Sequence, residues 1–235
     1  MLALVLDTAT PAVSAGLVRI ERDASGRPDV ELVSEHVEVD AKAHGELLSP
    51  SIRIALSAAG VRPAELDAVI AGVGPGPFTG LRVGLVTAAA FADAIGRPSY
   101  GVCSLDALGL AAGHGLAGGH PAELLVATDA RRKEVYWARY ADGRRLAGPD
   151  VSKPADLDLA GLTAMAGAGA RQYAAELGLP LLDHDYPGLR ELAELAADRV
   201  LTGAETEVLV PLYLRRPDAV VPAAMRQREP VGDAP

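Results

Sequence analysis

Between residues 72 and 84 the chain reads Gly-Val-Gly-Pro-Gly-Pro-Phe-Thr-Gly-Leu-Arg-Val-Gly, with an apolar run before it and a helix-like run after it. Such a segment dictates a tight strand-to-helix turn. Proline cannot sit inside a sheet ladder or a helix, and glycine lets backbones approach where a Cβ would block them. Turns of this kind often hold phosphate, because N–H groups converge at a helix N-terminus that carries partial positive charge. Here Pro75 and Pro77 have no N–H to give, and no lysine follows. The GxxxxGK[ST] pattern fails at Leu81 and Arg82 after Gly80, and GxGxxG fails because Gly72-Val73-Gly74-Pro75-Gly76 lacks its last glycine. A steric reading fits better. Gly80, Gly84, Ala88, Ala92 and Gly96 recur every four residues and leave one strip of a helix nearly free of side chains. Another helix could approach that strip closely. The plainer use is packing on the chain's own sheet.

The net charge of −9 over 235 residues disfavours a sequence-independent grip on nucleic acid by this chain alone. With 49% hydrophobic and 23% charged residues, the composition is that of a globular protein with a sizeable core. The single cysteine, Cys103, excludes an intramolecular disulfide and a cysteine-rich zinc site. Leu2–Leu6 is too short for a signal segment, and no apolar run is expected to reach the roughly 18–20 residues of a membrane span. These features suit a cytoplasmic protein with no membrane partner.

Hydrophobic patterning predicts strands at Leu2–Leu6, Val13–Ile20 and Val30–Val39, then a helix over Ala43–Ala59 with a kink or late start at Pro50. It then predicts a strand over Leu66–Val73, a helix over Leu81–Ile95 stopped by Gly96-Arg97-Pro98, and a strand at Ser99–Val102. The second half opens alike, with a strand over Leu124–Thr128, a tight turn at Asp129–Lys133 and a returning strand over Glu134–Tyr140 before the hairpin turn Asp142-Gly143. A strand at Leu162–Gly167 and a short helix reaching Leu177 follow. A helix over Leu189–Leu201 is expected to place Leu192, Leu195, Ala196 and Val200 on one side. Each half thus begins with a strand that ends in aspartate, Asp7 or Asp129, and a strand that returns. This is a faint sign of internal duplication, although strand–Asp–turn–strand is a common local pattern.

Few residues offer chemistry. Asp7, Thr8 and Thr10 close the first strand, where a carboxylate and hydroxyls can hold a magnesium-bound phosphate. The same side chains also bond local backbone in ordinary turns. His36, His44, His114, His120 and His184 form no HExxH or HxxxH motif, and no serine sits in a GxSxG elbow. Cys103 reads as a small core residue, and the charged run Asp129–Glu134 as a solvated hairpin tip.

Leu2–Val18 (LALVLDTATPAVSAGLV), Ala68–Ala92 (AVIAGVGPGPFTGLRVGLVTAAAFA), Gly101–Leu108 (GVCSLDAL), Asp129–Tyr140 (DARRKEVYWARY) and Pro211–Arg215 (PLYLR) together resemble the TsaB, or YeaZ, family of the tRNA threonylcarbamoyladenosine pathway. The likeness spans nearly the whole chain, and GPGPFTGLR is its most specific part. It implies an α/β fold of the actin-like, sugar kinase-like (ASKHA) type: two related α/β domains around a degenerate cleft. It also implies a non-catalytic subunit without a cofactor. Its partner would be a TsaD-type sister that carries the metal and transfers threonylcarbamoyl to N6 of adenosine 37 in tRNAs reading codons that begin with A. A small TsaE-type ATPase would complete the assembly. Alone, the chain would form a homodimer through the same helical face, and tRNA would be met only through the complex.

The residues agree with a subunit that does no chemistry. His44 has Asp40 and Leu48 where a metal-binding HxxxH would need histidine. Asp129 is followed by Ala130, Arg131 and Arg132, too bulky for a phosphate to approach the backbone, and Gly167-Ala168-Gly169-Ala170 stands where an adenosine-contacting turn would lie. Only Asp7, Thr8 and Thr10 remain of a phosphate loop, with Asp7 and Thr10 expected mainly to brace the turn. Ile52, Ala55, Ala59, Gly80, Gly84, Ala88 and Ala92 are expected at the partner seam. On that view Gly84→Leu or Ala88→Arg would break pairing and leave the monomer folded. The expected domains are residues 1–104 and 105–214, followed by a loose proline-rich tail at 215–235. The rival readings are an actin-like small-molecule kinase or ATPase, with Asp7 as its only fair metal carboxylate, and a peptidase, for which no nucleophile or metal motif is in view.

Overall fold

The computed structural model of the chain describes residues 1–114 and 123–215. Two mixed sheets carry the fold. The first contains β1 (Leu2–Asp7), β2 (Ala12–Arg22), β3 (Pro28–Val39), β4 (Ala68–Gly72) and β5 (Ser99–Val102), in the order β3-β2-β1-β4-β5. The second contains β6 (Glu123–Asp129), β7 (Val135–Ala141), β8 (Arg144–Ser152) and β9 (Leu162–Ala166), in the order β8-β7-β6-β9. β1 pairs antiparallel with β2 and parallel with β4; β6 pairs antiparallel with β7 and parallel with β9. The second sheet therefore repeats the first, and the duplication hinted at by Asp7 and Asp129 is real at the level of topology.

Strand alternation sets the layers. On β1, Leu4 and Leu6 face α1 (His44–Ala59) and α2 (Phe78–Ile95), while Ala3 and Val5 face α6 (Leu189–Leu201). Both faces of the first sheet are covered, which explains why these strands read as continuous apolar runs. In β7, Val135 and Trp137 point to one side and Tyr136, Ala138 and Tyr140 to the other, as their alternation predicts.

Several expectations change. α1 runs unbroken from His44, with Pro50 in its second turn. The N–H that Pro50 lacks would have met the carbonyl of Glu46, an exposed residue whose backbone water can serve. α2 begins at Phe78, three residues before the expected start, with Pro77 at its N-cap; Thr79 and Gly80 are poor helix formers and hid the first turn. Leu195 lies on the exposed side of α6, whose buried stripe is Leu189, Leu192, Ala193, Ala196, Ala197 and Val200. Among the described residues α2 is, by length and composition, apolar enough to cross a membrane, which the sequence reading did not expect. Its inner side packs on β4 and α1.

One helix has no counterpart in the sequence reading. α3 (Ser104–His114) follows β5 directly and packs on the second sheet and on α6. α6 in turn belongs by packing to the first sheet. Residue 104 separates the two sheets but not the two sets of layers, because the second half lends α6 to the first sheet. Two short helices, α4 (Ala168–Gln172) and α5 (Ala174–Leu177), follow β9.

Candidate functional site

The site grows from the end of β1. Asp7 is buried, and both of its carboxylate oxygens are taken by the chain itself. Oδ1 accepts the Ala9 N–H at 2.9 Å, and Oδ2 accepts the Ser104 hydroxyl at 2.5 Å. Ser104 is the first residue of α3; its Oγ also accepts the Gly74 N–H at 3.2 Å, and its N–H bonds the Gly74 carbonyl at 2.8 Å. Asp7 thus ties together the end of β1, the glycine-rich loop and the helix that crosses to the second sheet. Burial raises its pKa to about 6, although the bonds from Ser104 and Ala9 and the nearby His44 pull the other way.

The neighbouring groups are also committed. Thr8 Oγ1 donates to the Gly80 carbonyl at 2.8 Å, Thr10 Oγ1 accepts the Ala12 N–H at 3.3 Å, and the ring Nε2 of buried His44 bonds the Thr10 carbonyl at 2.8 Å. Asp7, Thr8 and Thr10 thus all bond groups of the chain itself, Thr8 reaching to α2.

The glycine-rich loop packs onto this turn. A Cβ on Gly76 would lie 2.2 Å from the Ala9 carbonyl oxygen, and one on Gly84 would lie 2.2 Å from Thr8 Oγ1. The loop holds protein where a phosphate cradle would hold a ligand. The row of small residues has the same cause. Gly80, Gly84, Ala88 and Ala92 are buried against the β1–β2 turn and the first sheet, as are Ile52 and Ala55 of α1, while Ala59 is half-buried. The expectation that this row faces a partner is corrected: it is the inner face of the two helices. The outer face carries Ile54 and Ala58 on α1 and Phe78, Val86 and Ala90 on α2. Exposed aliphatic residues out of phase with the small-residue row, Val86 above all, were the signal in the sequence.

The second strand-end turn is built differently. Arg131, Arg132 and Lys133 have φ of 63°, 53° and 61°, three consecutive non-glycine residues in the left-handed region. Each costs roughly 1–2 kcal/mol relative to an ordinary conformation. The turn is held by hydrogen bonds from Ala130 N–H to the Glu134 carbonyl at 3.0 Å, from Glu134 N–H to the Arg131 carbonyl at 3.0 Å and from Arg131 N–H to Asp129 Oδ1 at 2.9 Å, together with the Arg215 fork. Arg215 donates Nη1 to the Ala130 carbonyl at 2.8 Å and sets Nη2 2.9 Å from Glu134 Oε2. Arg215 is therefore fixed, whereas the sequence placed it in a loose tail; residues 216–235 of that tail lie outside the described residues.

The segment before Arg215 fastens to the first sheet. The Leu212 N–H bonds the Val73 carbonyl at 2.9 Å, and the Tyr213 ring stacks on Phe78 with centroids 5.1 Å apart. Arg82 lies 3.7 Å over the Phe78 ring and donates Nε to the Tyr213 hydroxyl at 3.1 Å. From Leu212 to Arg215 the chain spans at most about 10 Å. One short segment thus ties the start of the glycine-rich loop, at the Val73 carbonyl, to the Arg131–Lys133 turn, at the Ala130 carbonyl. We expect Arg215→Ala to lower stability by about 1–3 kcal/mol, because the left-handed turn loses its brace. Urea unfolding checks this, and an unchanged midpoint would show that the turn holds itself.

Among the described residues no three His, Cys, Asp or Glu side chains cluster as metal ligands, and His120 lies outside them. His36 pairs with Glu38 at 3.1 Å. Burial pushes the Cys103 thiol up to about 11, so it carries almost no thiolate near neutral pH.

Two mixed α/β units, each with three antiparallel strands and a fourth strand parallel to the first, make this an actin-like, sugar kinase-like fold. Residues 32–212 match the TsaD family, tRNA N6-adenosine threonylcarbamoyltransferase. An uncharacterised protein of Mycobacterium tuberculosis is 50% identical over 92% of both chains. The Escherichia coli tRNA threonylcarbamoyladenosine biosynthesis protein TsaB is 28% identical over 92% of this chain and 95% of its own. A Pseudomonas aeruginosa crystal structure, described as similar to the peptidase YeaZ, superposes with a TM-score of 0.72 at 31% identity over 91% of this chain and 99% of its own. The chain belongs to the TsaB/YeaZ family of tRNA threonylcarbamoyladenosine biosynthesis.

Proposed function

We propose that the chain is a non-catalytic subunit that pairs with, and activates, a TsaD-type threonylcarbamoyl transferase acting on adenosine 37 of tRNA. The observation that carries this reading is the state of Asp7. Its two oxygens accept from Ser104 and Ala9 inside the core, and the loop that faces it is packed with backbone, which favours a bracing role over that of a metal–phosphate ligand. A kinase or ATPase would need that carboxylate in an open cleft. A thiol peptidase would need a low thiol pKa, and Cys103 has the opposite. A TsaE-type ATPase completes the assembly, which works in the cytoplasm, and the isolated chain forms a homodimer.

The pairing surface in this proposal is the outer face of α1 and α2. Val86 is 67% exposed and Ile54 46%, and Ala58 and Ala90 continue the patch. Apolar helix faces of this kind pack together and exclude water. Val86→Arg and Ile54→Arg are each expected to weaken association with the sister subunit at least tenfold, with circular dichroism unchanged. Exposed substitutions cost the monomer no more than about 0.5 kcal/mol. Co-expression with the sister, purification and mass measurement test the pairing. A complex with full affinity in both variants would move the interface elsewhere. Tight magnesium–ATP binding by the isolated chain would favour the kinase reading.

A further inference from the structure

We infer that the groove between α2 and residues 207–213 receives an apolar side chain of the sister subunit, and that Arg82 at its end pairs with a carboxylate beside that side chain. The inference rests on the reading that the chain pairs with a sister subunit through the outer side of α2. It adds the chemistry of the partner and a surface that α1 and α2 do not supply.

The groove is fixed from both ends. Glu207 donates its N–H to the Ser99 carbonyl at 2.9 Å, and its Oε2 accepts the Gly101 N–H at 3.0 Å. Arg199 Nη1 lies 2.6 Å from Glu207 Oε1. Further on, the Leu212 N–H holds the Val73 carbonyl. Between these anchors the chain alternates: Leu209 packs on the core of the first sheet, while Val208 and Val210 are 88% and 62% exposed. The result is a groove of about 440 Å³, walled by Leu85, Val86 and Ala89 of α2 and by Val208, Leu209 and Pro211. Arg82 and Tyr213, bonded to each other, close one end.

Size and charge name the occupant. α1 has seven exposed residues and α2 eight, whereas a stable interface takes about 20–30 from each side. The pairing surface must therefore extend past the two helices, and Val86 already belongs to the groove as well. Of the eleven large apolar side chains exposed among the described residues, six stand on α1, α2 and this segment: Ile54, Phe78, Val86, Val208, Val210 and Tyr213. Apolar surface gathered in this way marks a contact with another protein. The Arg82 guanidinium is held over the Phe78 ring and by the Tyr213 hydroxyl, and no carboxylate pairs with it among the described residues. Glu207, the one carboxylate in the groove's lining, is taken by Arg199 and the Gly101 N–H. A second copy presenting the same groove would bring Arg82 no free carboxylate, whereas a different chain can supply one. Walls and a guanidinium already in place lose little freedom when such a group enters.

The test uses the full chain and its sister subunit. Titration calorimetry gives Kd at about 50 and about 500 mM salt. Val208→Asp is expected to weaken association roughly tenfold or more with an unchanged melt, since the side chain it replaces is exposed. Should that variant melt early, Val208→Thr keeps the shape and is expected to weaken association about threefold. Arg82→Gln is expected to weaken association about threefold to tenfold at the lower salt and by less at the higher, where an exposed ion pair is screened. Val208 variants that keep the parent's affinity, beside a Val86→Arg variant that loses the sister, overturn this inference alone. A loss at Arg82 that is equal at both salts overturns the carboxylate contact. Variants that weaken the homodimer and keep the sister overturn the inference too, because the groove then takes a second copy. A parent chain that never joins the sister overturns the functional reading together with it.

Discussion

Gly84→Leu unfolds the first sheet's helical layer instead of merely separating subunits. A Cβ at this position would already stand 2.2 Å from Thr8 Oγ1, and the Thr8 hydroxyl is bound to the Gly80 carbonyl one turn earlier on the same helix. Leucine adds three further carbons to a site with no free space. The helix must move off the β1–β2 turn, which breaks the Thr8–Gly80 bond and opens the packing of Leu85 and Ala88 on Leu4 and Leu6. Overpacking by single methylenes costs about 1–3 kcal/mol, so a leucine here is expected to cost more than about 4 kcal/mol, a large share of the stability of an ordinary domain. Circular dichroism melts of the purified variant decide the matter. A cooperative melt close to that of the parent, with partner binding lost, would restore the outward-facing row that the sequence suggested. The contrast with Val86→Arg on the opposite side of α2 is the sharper test, since that variant should keep the melt and lose the partner.

The second large effect is a pH dependence lodged in Asp7. Its folded pKa is raised from 3.8 to about 6, chiefly by burial. A raised carboxylate favours the folded state while it is protonated. That contribution is fully present below about pH 4 and is lost as the pH climbs through about 6. Two pKa units correspond to about 3 kcal/mol. Asp7→Asn removes the titration. Its amide oxygen still accepts the Ala9 N–H, and its NH2 can meet Ser104 Oγ. The difference in stability between variant and parent should therefore move in the variant's favour by about 2–3 kcal/mol between pH 4 and pH 7. Urea unfolding of both proteins at several pH values measures it. Parallel pH profiles would mean that Asp7 does not titrate in this range. The same variant bears on function, because a metal–phosphate ligand would not survive the loss of its charge.

Much of the fold was legible along the chain, and the reasons are local. The strands at Leu2, Val13 and Leu124 are apolar runs and that at Val30 roughly alternates, and strand patterning needs no more than that. Gly96 ends α2 in the left-handed conformation with its N–H on the Ala92 and Asp93 carbonyls, as a helix-stopping glycine should. α3 went unread because Leu110 stands across the helix from the buried Leu105, Leu108, Ala111 and Ala112, and Asp106 and His114 alone give it a polar side, so its periodicity is weak. The left-handed turn at Arg131–Lys133 was invisible for the opposite reason. Arg and Lys have no preference for that region, and hydrogen bonds that involve Ala130, Asp129 and Arg215 help to hold them there.

By itself the sequence determined the shape of residues 72–84: a close backbone turn that launches a helix with one smooth side. It also pointed to the family, through GPGPFTGLR and DARRKEVYWARY together. The direction in which the smooth side faces was decided by tertiary structure. A four-residue period of small side chains permits close approach, and close approach to Thr8 of the same chain satisfies it as well as approach to another subunit. Burial of Asp7 was likewise set from a distance, by Ser104 at the start of a helix 97 positions further along. Spacing along a chain can show that a surface is able to pack; what it packs against depends on which other segments reach it.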